Sequence, residues 1–319
     1  MTPVKNEAWI LPAFLTATSL WADYIIIADQ GSTDGSLQIY SQFPKVVLIH
    51  NKNPDFNESE RQSLLINKAR EIEGDKILFA LDADEIFESK FLKTNDWNKI
   101  LNSKQGDVFL FQWAQINQDL ETYIIPDYYF PWVFHDDGVE PHQNYVRSIH
   151  SMRIPYPVEE KQLKKVTDFR VMHFQSVNHN RQKSKLRFMI LVDFMLDKKS
   201  AVRLSRFYLP RKSKNKNYIM DDGMVKGYMD VDVDLIKLID TNQNKFWFDD
   251  YLLNKIEQYG DSYFASIDIW DSNFRKQYGL KDPRNYFTKQ LHLYLRLTQN
   301  STDNIMIRMV DKCLKKIGL

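Results

Sequence analysis

The chain has a single cysteine, Cys313, in 319 residues. That excludes an internal disulfide and any metal site built on several thiolates, and it suits a reducing compartment. Glycine (10) and proline (11) are sparse, too few for a low-complexity or collagen-like chain. No apolar run approaches the roughly 18 residues that cross a bilayer. The longest, such as Tyr24-Ile25-Ile26-Ile27-Ala28, are strand-length. The sequence does not open on a basic segment followed by an apolar one, so a signal peptide is not expected and a cytoplasmic setting is. Matches to Asn-x-Ser/Thr at Asn57 and Asn300 then read as chance. An excess of one charge is lacking too. Lys plus Arg number 43 and Asp plus Glu 42, a formal charge of +1, which argues against a dedicated nucleic-acid binder.

Hydrophobic residues make up 43% and charged residues 27%, a globular composition. The first hundred residues alternate in type. Helical patterns are expected at Glu7–Ser19, Ser36–Phe43, Glu58–Glu73 and Ser89–Leu101. Apolar strands are expected at Tyr24–Ala28, Val46–Ile49, Lys76–Leu81 and Val108–Trp113. Such alternation predicts an α/β fold with parallel strands, whose ligands sit at the carboxyl ends of those strands. A strand before Lys5-Asn6-Glu7 is implied, although only Met1–Val4 precede it. From Pro126 to Pro157 the pattern is irregular and aromatic, with further strands expected at Val146–Ile149 and Phe169–Phe174. After His179 the chain turns helical, and a boundary falls near residue 200. This gives a domain over 1–197 and a helical extension over 198–319.

The strongest chemical signal is Asp82-Ala83-Asp84-Glu85, directly after Ile77-Leu78-Phe79-Ala80-Leu81. In extended chain, residues two apart point the same way, so Asp82 and Asp84 aim together from the sheet edge. Paired carboxylates are hard oxygen ligands suited to Mg²⁺ or Mn²⁺ on phosphate oxygens. Asp230-Val231-Asp232 has the same pattern but follows no apolar strand, and reads as a solvated helix start. A second signal is Asp29-Gln30-Gly31-Ser32-Thr33-Asp34-Gly35. Its first carboxylate is placed to accept from a base or ribose, or else the segment is a tight turn with Asp34 as helix cap.

Together with Val4-Lys5-Asn6-Glu7 and Arg61-Gln62-Ser63-Leu64-Leu65-Ile66-Asn67-Lys68-Ala69, these segments stand in the order and spacing of family 2 glycosyltransferases. Over about residues 1–190 the chain resembles that family. The resemblance implies a GT-A fold: a Rossmann-like, mostly parallel central sheet flanked by helices. It also implies metal-assisted, inverting transfer of a sugar from a nucleotide-diphosphate sugar to a saccharide or lipid-linked saccharide, in surface polysaccharide or glycolipid assembly. Val4, Asn6, Glu7, Asp29, Arg61, Asp82 and Ala83 would then line the donor. Asp84, with Asp82 and His173, would hold the divalent metal. Gln30 stands where many members carry a second acid.

For the base, the resemblance implies an acid between the fourth strand and His173, and the candidates are Asp136, Asp137, Glu140, Glu159 and Glu160. Glu159 fits best by position and Asp137 second. Tyr128, Tyr129, Phe130, Trp132 and Phe134 are either a platform for a sugar face or core. From Lys198 to Lys216 there are eight basic residues and no acidic one. That run is either a peripheral contact with anionic lipid or a solvated linker. Two other functions fit the same residues: a sugar nucleotidyltransferase, although Pro3–Glu7 has no glycine, and a non-catalytic nucleotide-binding module.

Overall fold

The computed structural model describes residues 1–53, 56–139, 151–155, 163–197, 199–211, 215–226, 228 and 231–319. Val146–Ile149 and Glu159 therefore lie outside the described residues.

The chain opens with β1 (Thr2–Val4), α1 (Leu11–Ser19), β2 (Ile25–Asp29), α2 (Ser36–Tyr40), β3 (Val46–His50) and α3 (Glu58–Arg70). β1, β2 and β3 pair in parallel, in that order. Every residue of β2 is buried, because alternate side chains face opposite layers. Ile25 and Ile27 pack in one cluster with Phe14 and Leu15 of α1. Ile26 and Ala28 join Leu65, Ile66 and Ala69 of α3 in another. α1 begins at Leu11 and not at Glu7, with Pro12 in its first turn, where a missing N–H costs nothing. α3 is capped by Asn57, whose side chain accepts from Glu60 N at 3.1 Å. Acids fill its first turn and bases its last, matching the helix dipole.

Next come β4 (Ile77–Phe79), β5 (Glu85–Phe87), α4 (Asn95–Leu101), β6 (Val108–Phe111), β7 (Trp113–Ile116), β8 (Thr122–Ile124), β9 (Phe130–His135), β10 (Leu163–Lys165) and β11 (Val171–His173). The helix expected over Ser89–Leu101 is interrupted at Thr94. Its extended backbone and side-chain bond to Trp97 N at 3.2 Å start α4 afresh. The strand expected over Val108–Trp113 divides at Gln112, and its halves join different sheets. One sheet runs β10-β6-β9-β4, with β9 antiparallel to both neighbours. The other adds β12 (Asn217–Ile219) in the order β12-β8-β7-β11-β5. The parallel order is thus concentrated in the first sheet, and the other two are mixed.

Two compact units result, and they do not follow one cut at residue 197. The first is Met1–His179 with Asn215–Gln243, the second Asn180–Lys214 with Asn244–Leu319. The returning segment belongs with the sheets for specific reasons. β12 pairs β8, Tyr228 donates to the Phe87 carbonyl at 2.9 Å, and Asp240 N donates to the Trp9 carbonyl at 2.8 Å.

The second unit is helical: α5 (His179–Asp197), which leads into it, then α6 (Ala201–Tyr208), α7 (Trp247–Tyr259), α8 (Ser272–Tyr278), α9 (Tyr286–Leu297) and α10 (Ile305–Lys316). Its core carries a buried ion pair of Arg187 with Asp249 at 2.9 Å, and Arg187 also reaches the partly exposed Asp271 at 2.8 Å. Part of the basic run over 198–216 is therefore a packed helix and not a linker. Arg206 is buried and binds Asp311 at 2.7 Å. Among the described residues, no helix is long and apolar enough to cross a membrane.

Candidate active site

The carboxyl ends of β1, β2 and β4 meet at one edge of the first unit. Two loops are latched there. Asn6 takes a left-handed backbone (φ 55°), which asparagine tolerates. Its N–H donates to Ser32 Oγ at 2.8 Å, and its Oδ1 accepts from Thr33 N at 2.7 Å. Ala8 N donates to Asp34 Oδ2 at 2.8 Å. Gly31 (φ 69°) and Gly35 (φ 100°) supply the other left-handed turns of that loop. Asp29 is 1% exposed. Its Oδ1 accepts from Ser32 N and its Oδ2 from the Tyr40 hydroxyl, both at 2.9 Å. Burial and the Asp29 charge push the Tyr40 hydroxyl well above its ordinary value. Asp29 thus braces its own turn. Val4 and Ala83 are core residues, and Glu7 accepts from Trp9 Nε1 at 2.5 Å.

Three cations gather beside these loops. Burial, then the Arg61 charge, lowers the pKa of Lys5, against the pull of Asp29. Burial lowers that of Arg61, opposed by Glu58 and Asp82 and reinforced by Arg153. Lys5, Arg61, Arg153, Asp29 and Asp82 therefore share one electrostatic neighbourhood. The Arg61 guanidinium lies 4.5 Å from the centre of the Phe56 ring. Its buried Nε has no hydrogen-bond partner among the described residues, a donor that a ligand oxygen would satisfy.

The acidic motif is divided between two tasks. Asp82 Oδ2 binds Arg153 Nη2 at 2.6 Å, and Asp82 N donates to Glu85 Oε2 at 2.9 Å. Glu85, fully buried, also accepts from Arg153 Nη1 at 2.5 Å and from Trp113 Nε1 at 3.0 Å. Burial raises the Glu85 carboxyl to about 7, with Arg153 opposing and Asp82 and Asp84 adding to the rise. For Arg153, burial works against the charge, yet Asp82 and Glu85 outweigh it and hold the guanidinium above its ordinary value.

Asp84 instead faces His173, with Oδ1 and Nε2 3.7 Å apart. β11 pairs with β5 so that His173 stands opposite Glu85. The His173 ring stacks on Trp113 at 4.4 Å and 27°. Asp84 and His173 fit a divalent cation as two ligands, a carboxylate oxygen and an imidazole nitrogen close enough for one ion to touch both. Asp82 is turned to Arg153, and no group of three such ligands assembles among the described residues. Of the expected set Asp82, Asp84 and His173, the structure brings Asp84 and His173 together and turns Asp82 to Arg153.

Asp137 is not brought to this edge. β9 runs antiparallel to β4 with His135 opposite Ile77, so Asp136 and Asp137 emerge at the amino end of β4, across the sheet from Asp82. There Arg70 binds Asp136 at 2.7 Å and reaches Asp137 at 3.9 Å. A cavity of about 410 Å³ lies at that far edge, lined by Trp21, Tyr24, Asp75 and Ile77 among others. Of the aromatics, Trp132 and Phe134 are core. Tyr128, Phe130 and Trp113 form a continuous shelf, with Tyr128 and Phe130 4.9 Å apart and Phe130 and Trp113 4.3 Å apart. It leads from the surface, where Tyr128 is half exposed, to His173.

Glu85 and Arg153 are the residues that sequence reasoning passed over. Glu85 was visible inside the Asp82–Glu85 motif. Arg153 had no local signal, since only tertiary packing brings it to the motif.

No protein-family model matches the chain, and no curated protein matches it. Among solved structures, the crystal structure of S. aureus TarS 1-349 is similar at a TM-score of 0.41 and 13% identity. The match covers 65% of this chain and 68% of that one.

Proposed function

We propose that this chain is a nucleotide-sugar-dependent glycosyltransferase of GT-A type that inverts the anomeric carbon. The observation that carries this reading is the sheet edge itself. Asp84 and His173 stand 3.7 Å apart, in the edge that also gathers Lys5, Arg61 and the turn braced by Asp29. That edge offers cations for a diphosphate and a ligand pair for a metal.

In this reading the Asp29–Gly35 turn and Lys5 receive the nucleoside, and Arg61 binds diphosphate oxygens through its planar fork. Asp84 and His173 hold Mn²⁺ or Mg²⁺, which would offset charge on the departing diphosphate. Glu159 takes the proton from the acceptor hydroxyl as its oxygen bonds to the anomeric carbon. The electron pair of the breaking C–O bond leaves with the nucleoside diphosphate. The acceptor is a saccharide or a lipid-linked saccharide, and the shelf of Tyr128, Phe130 and Trp113 offers flat apolar area to a sugar ring. The ion pair of Asp82 with Arg153 favours a second reading, a nucleotide-binding module without turnover, because it withholds one acid of the motif.

Calorimetric titration with a panel of nucleoside diphosphates, with Mn²⁺, with Mg²⁺ and with chelator, tests the proposal. One diphosphate should bind markedly more tightly with metal than with chelator, and Asp84→Ala should lose that gain. Absence of binding to every nucleotide by the folded protein would overturn the proposal. Binding without turnover of any matching sugar nucleotide would favour the module.

A further inference from the structure

α10 of the second unit is an amphipathic helix laid on its unit by the wrong side for an ordinary core helix. Its one buried residue is polar, Asp311, which binds Arg206. Most of its apolar residues face out: Ile305 is 71% exposed, Met306 65% and Met309 58%, as is Ile317 at its C-terminal cap at 71%. These positions, with Val310 and Cys313, recur at steps of one, four and eight along the helix, and so form one stripe. Leu314, between the stripe and Asp311, packs against the cluster that holds buried Leu291 and Leu295. α9, which touches α10 through Tyr294, has exposed Tyr286, Leu293 and Leu297 of its own. An exposed apolar stripe such as that of α10 marks a contact site.

The charge beside the stripe has one sign. Arg308, Lys312, Lys315 and Lys316 are exposed, and with Arg211 three of them line an open pocket of about 480 Å³. The only acid between Ile305 and Leu319 is Asp311, already neutralised by Arg206. An apolar stripe flanked by exposed cations, on a helix whose third side is docked, is the layout of a helix lying in a membrane interface. A second copy is a poorer occupant, because a two-fold contact over the stripe would bring like-charged rows together.

We propose that α10 is a binding surface for anionic phospholipid. The apolar stripe inserts among the acyl chains and the basic row meets the headgroups. This moves the membrane contact away from the basic run over 198–216, whose Arg206 is buried, and it does not depend on sugar transfer.

The test is co-sedimentation of the full chain with vesicles of phosphatidylcholine, with and without phosphatidylglycerol. The chain should bind the anionic vesicles, and rising salt should release it as the Debye length shrinks. Replacing Lys312 and Lys315 together by Ala should lower the partition coefficient about 30-fold. Replacing Met306 and Met309 together by Ser should lower it about tenfold or more at low salt. All four side chains are exposed, so the thermal midpoint should hold. Failure of the wild-type chain to sediment with anionic vesicles would overturn the proposal, and so would binding that neither double variant weakens. A concentration-dependent dimer that the methionine variant dissolves, without vesicle binding, would assign the face to a second copy instead.

Discussion

Arg153 Nη2 lies 2.6 Å from Asp82 Oδ2, so the first acid of the Asp82-Ala83-Asp84 motif is spoken for by a guanidinium. The other arm of that guanidinium reaches Glu85, which is fully buried. Removing one partner of a buried ion pair costs more than the pair itself contributes, because the remaining charge has no solvent. Arg153→Ala should therefore destabilise the chain by about 3 kcal/mol. Glu85→Gln added to it should recover much of that loss, since no buried carboxylate would remain to be ionised. Urea titration of the two single variants and the double one reads this coupling. Additive losses would show that Arg153 and Glu85 act independently.

Tyr40 and Asp29 make a similar argument for the loop after β2. The Tyr40 hydroxyl donates to Asp29 Oδ2 at 2.9 Å in a buried setting. Hydrogen bonds to charged groups contribute about 1.5–3 kcal/mol. Tyr40→Phe should cost about 2 kcal/mol in denaturant, and should also weaken nucleoside diphosphate binding by loosening the turn. A variant as stable as the parent would show that Ser32 N alone satisfies Asp29.

The extent to which this was legible in sequence follows from the range of the forces involved. The parallel β1–β3 sheet, α3 and the acidic segment directly after β4 rest on local apolar patterning and caps, and these were readable. The break at Thr94 turned on one side-chain cap competing with helix continuation, which a window average hides. The split at Gln112 depended on which sheet each half would join, a non-local choice. Asp82 and Asp84 do not aim together, because their different partners, Arg153 and His173, come from distant parts of the chain. Asp137 was misplaced because β9 reverses direction, so position along the chain did not track position across the sheet. The boundary near residue 200 missed the return of Asn215–Gln243, since β12 pairs β8 across a long separation.

The unequal partners of Asp82 and Asp84 predict unequal consequences. Asp84→Asn and His173→Gln should each lower the metal-dependent part of nucleoside diphosphate affinity, by about tenfold or more. Asp82→Asn should leave that part largely intact and change the metal-independent part, because Asp82 faces the Arg153 and Arg61 cations. Titrations at fixed nucleotide with varied Mn²⁺ separate the two. Equal loss of metal dependence in Asp82→Asn and Asp84→Asn would mean that Arg153 gives up Asp82 when the donor arrives.

Acid should weaken the second unit at Asp282. Arg284 donates to both its oxygens, Nε to Oδ1 and Nη2 to Oδ2, each at 2.9 Å. These bonds, against a smaller cost of burial, hold the carboxyl well below the usual carboxylate range. The unfolded chain then takes up the proton first. The stabilisation is complete above the unfolded value of about 4 and is lost progressively as pH falls below it toward the folded value. At neutral pH, Asp282→Asn should cost about 1.5 kcal/mol, the low end for charged hydrogen bonds because the pair is partly solvated. The gap between variant and parent should narrow on acidification below about pH 4. Denaturant midpoints for both proteins across that range measure it. A gap that stays constant with pH would mean that Arg284 is held by Asp268 and the Trp270 carbonyl, with Asp282 contributing no net charge interaction.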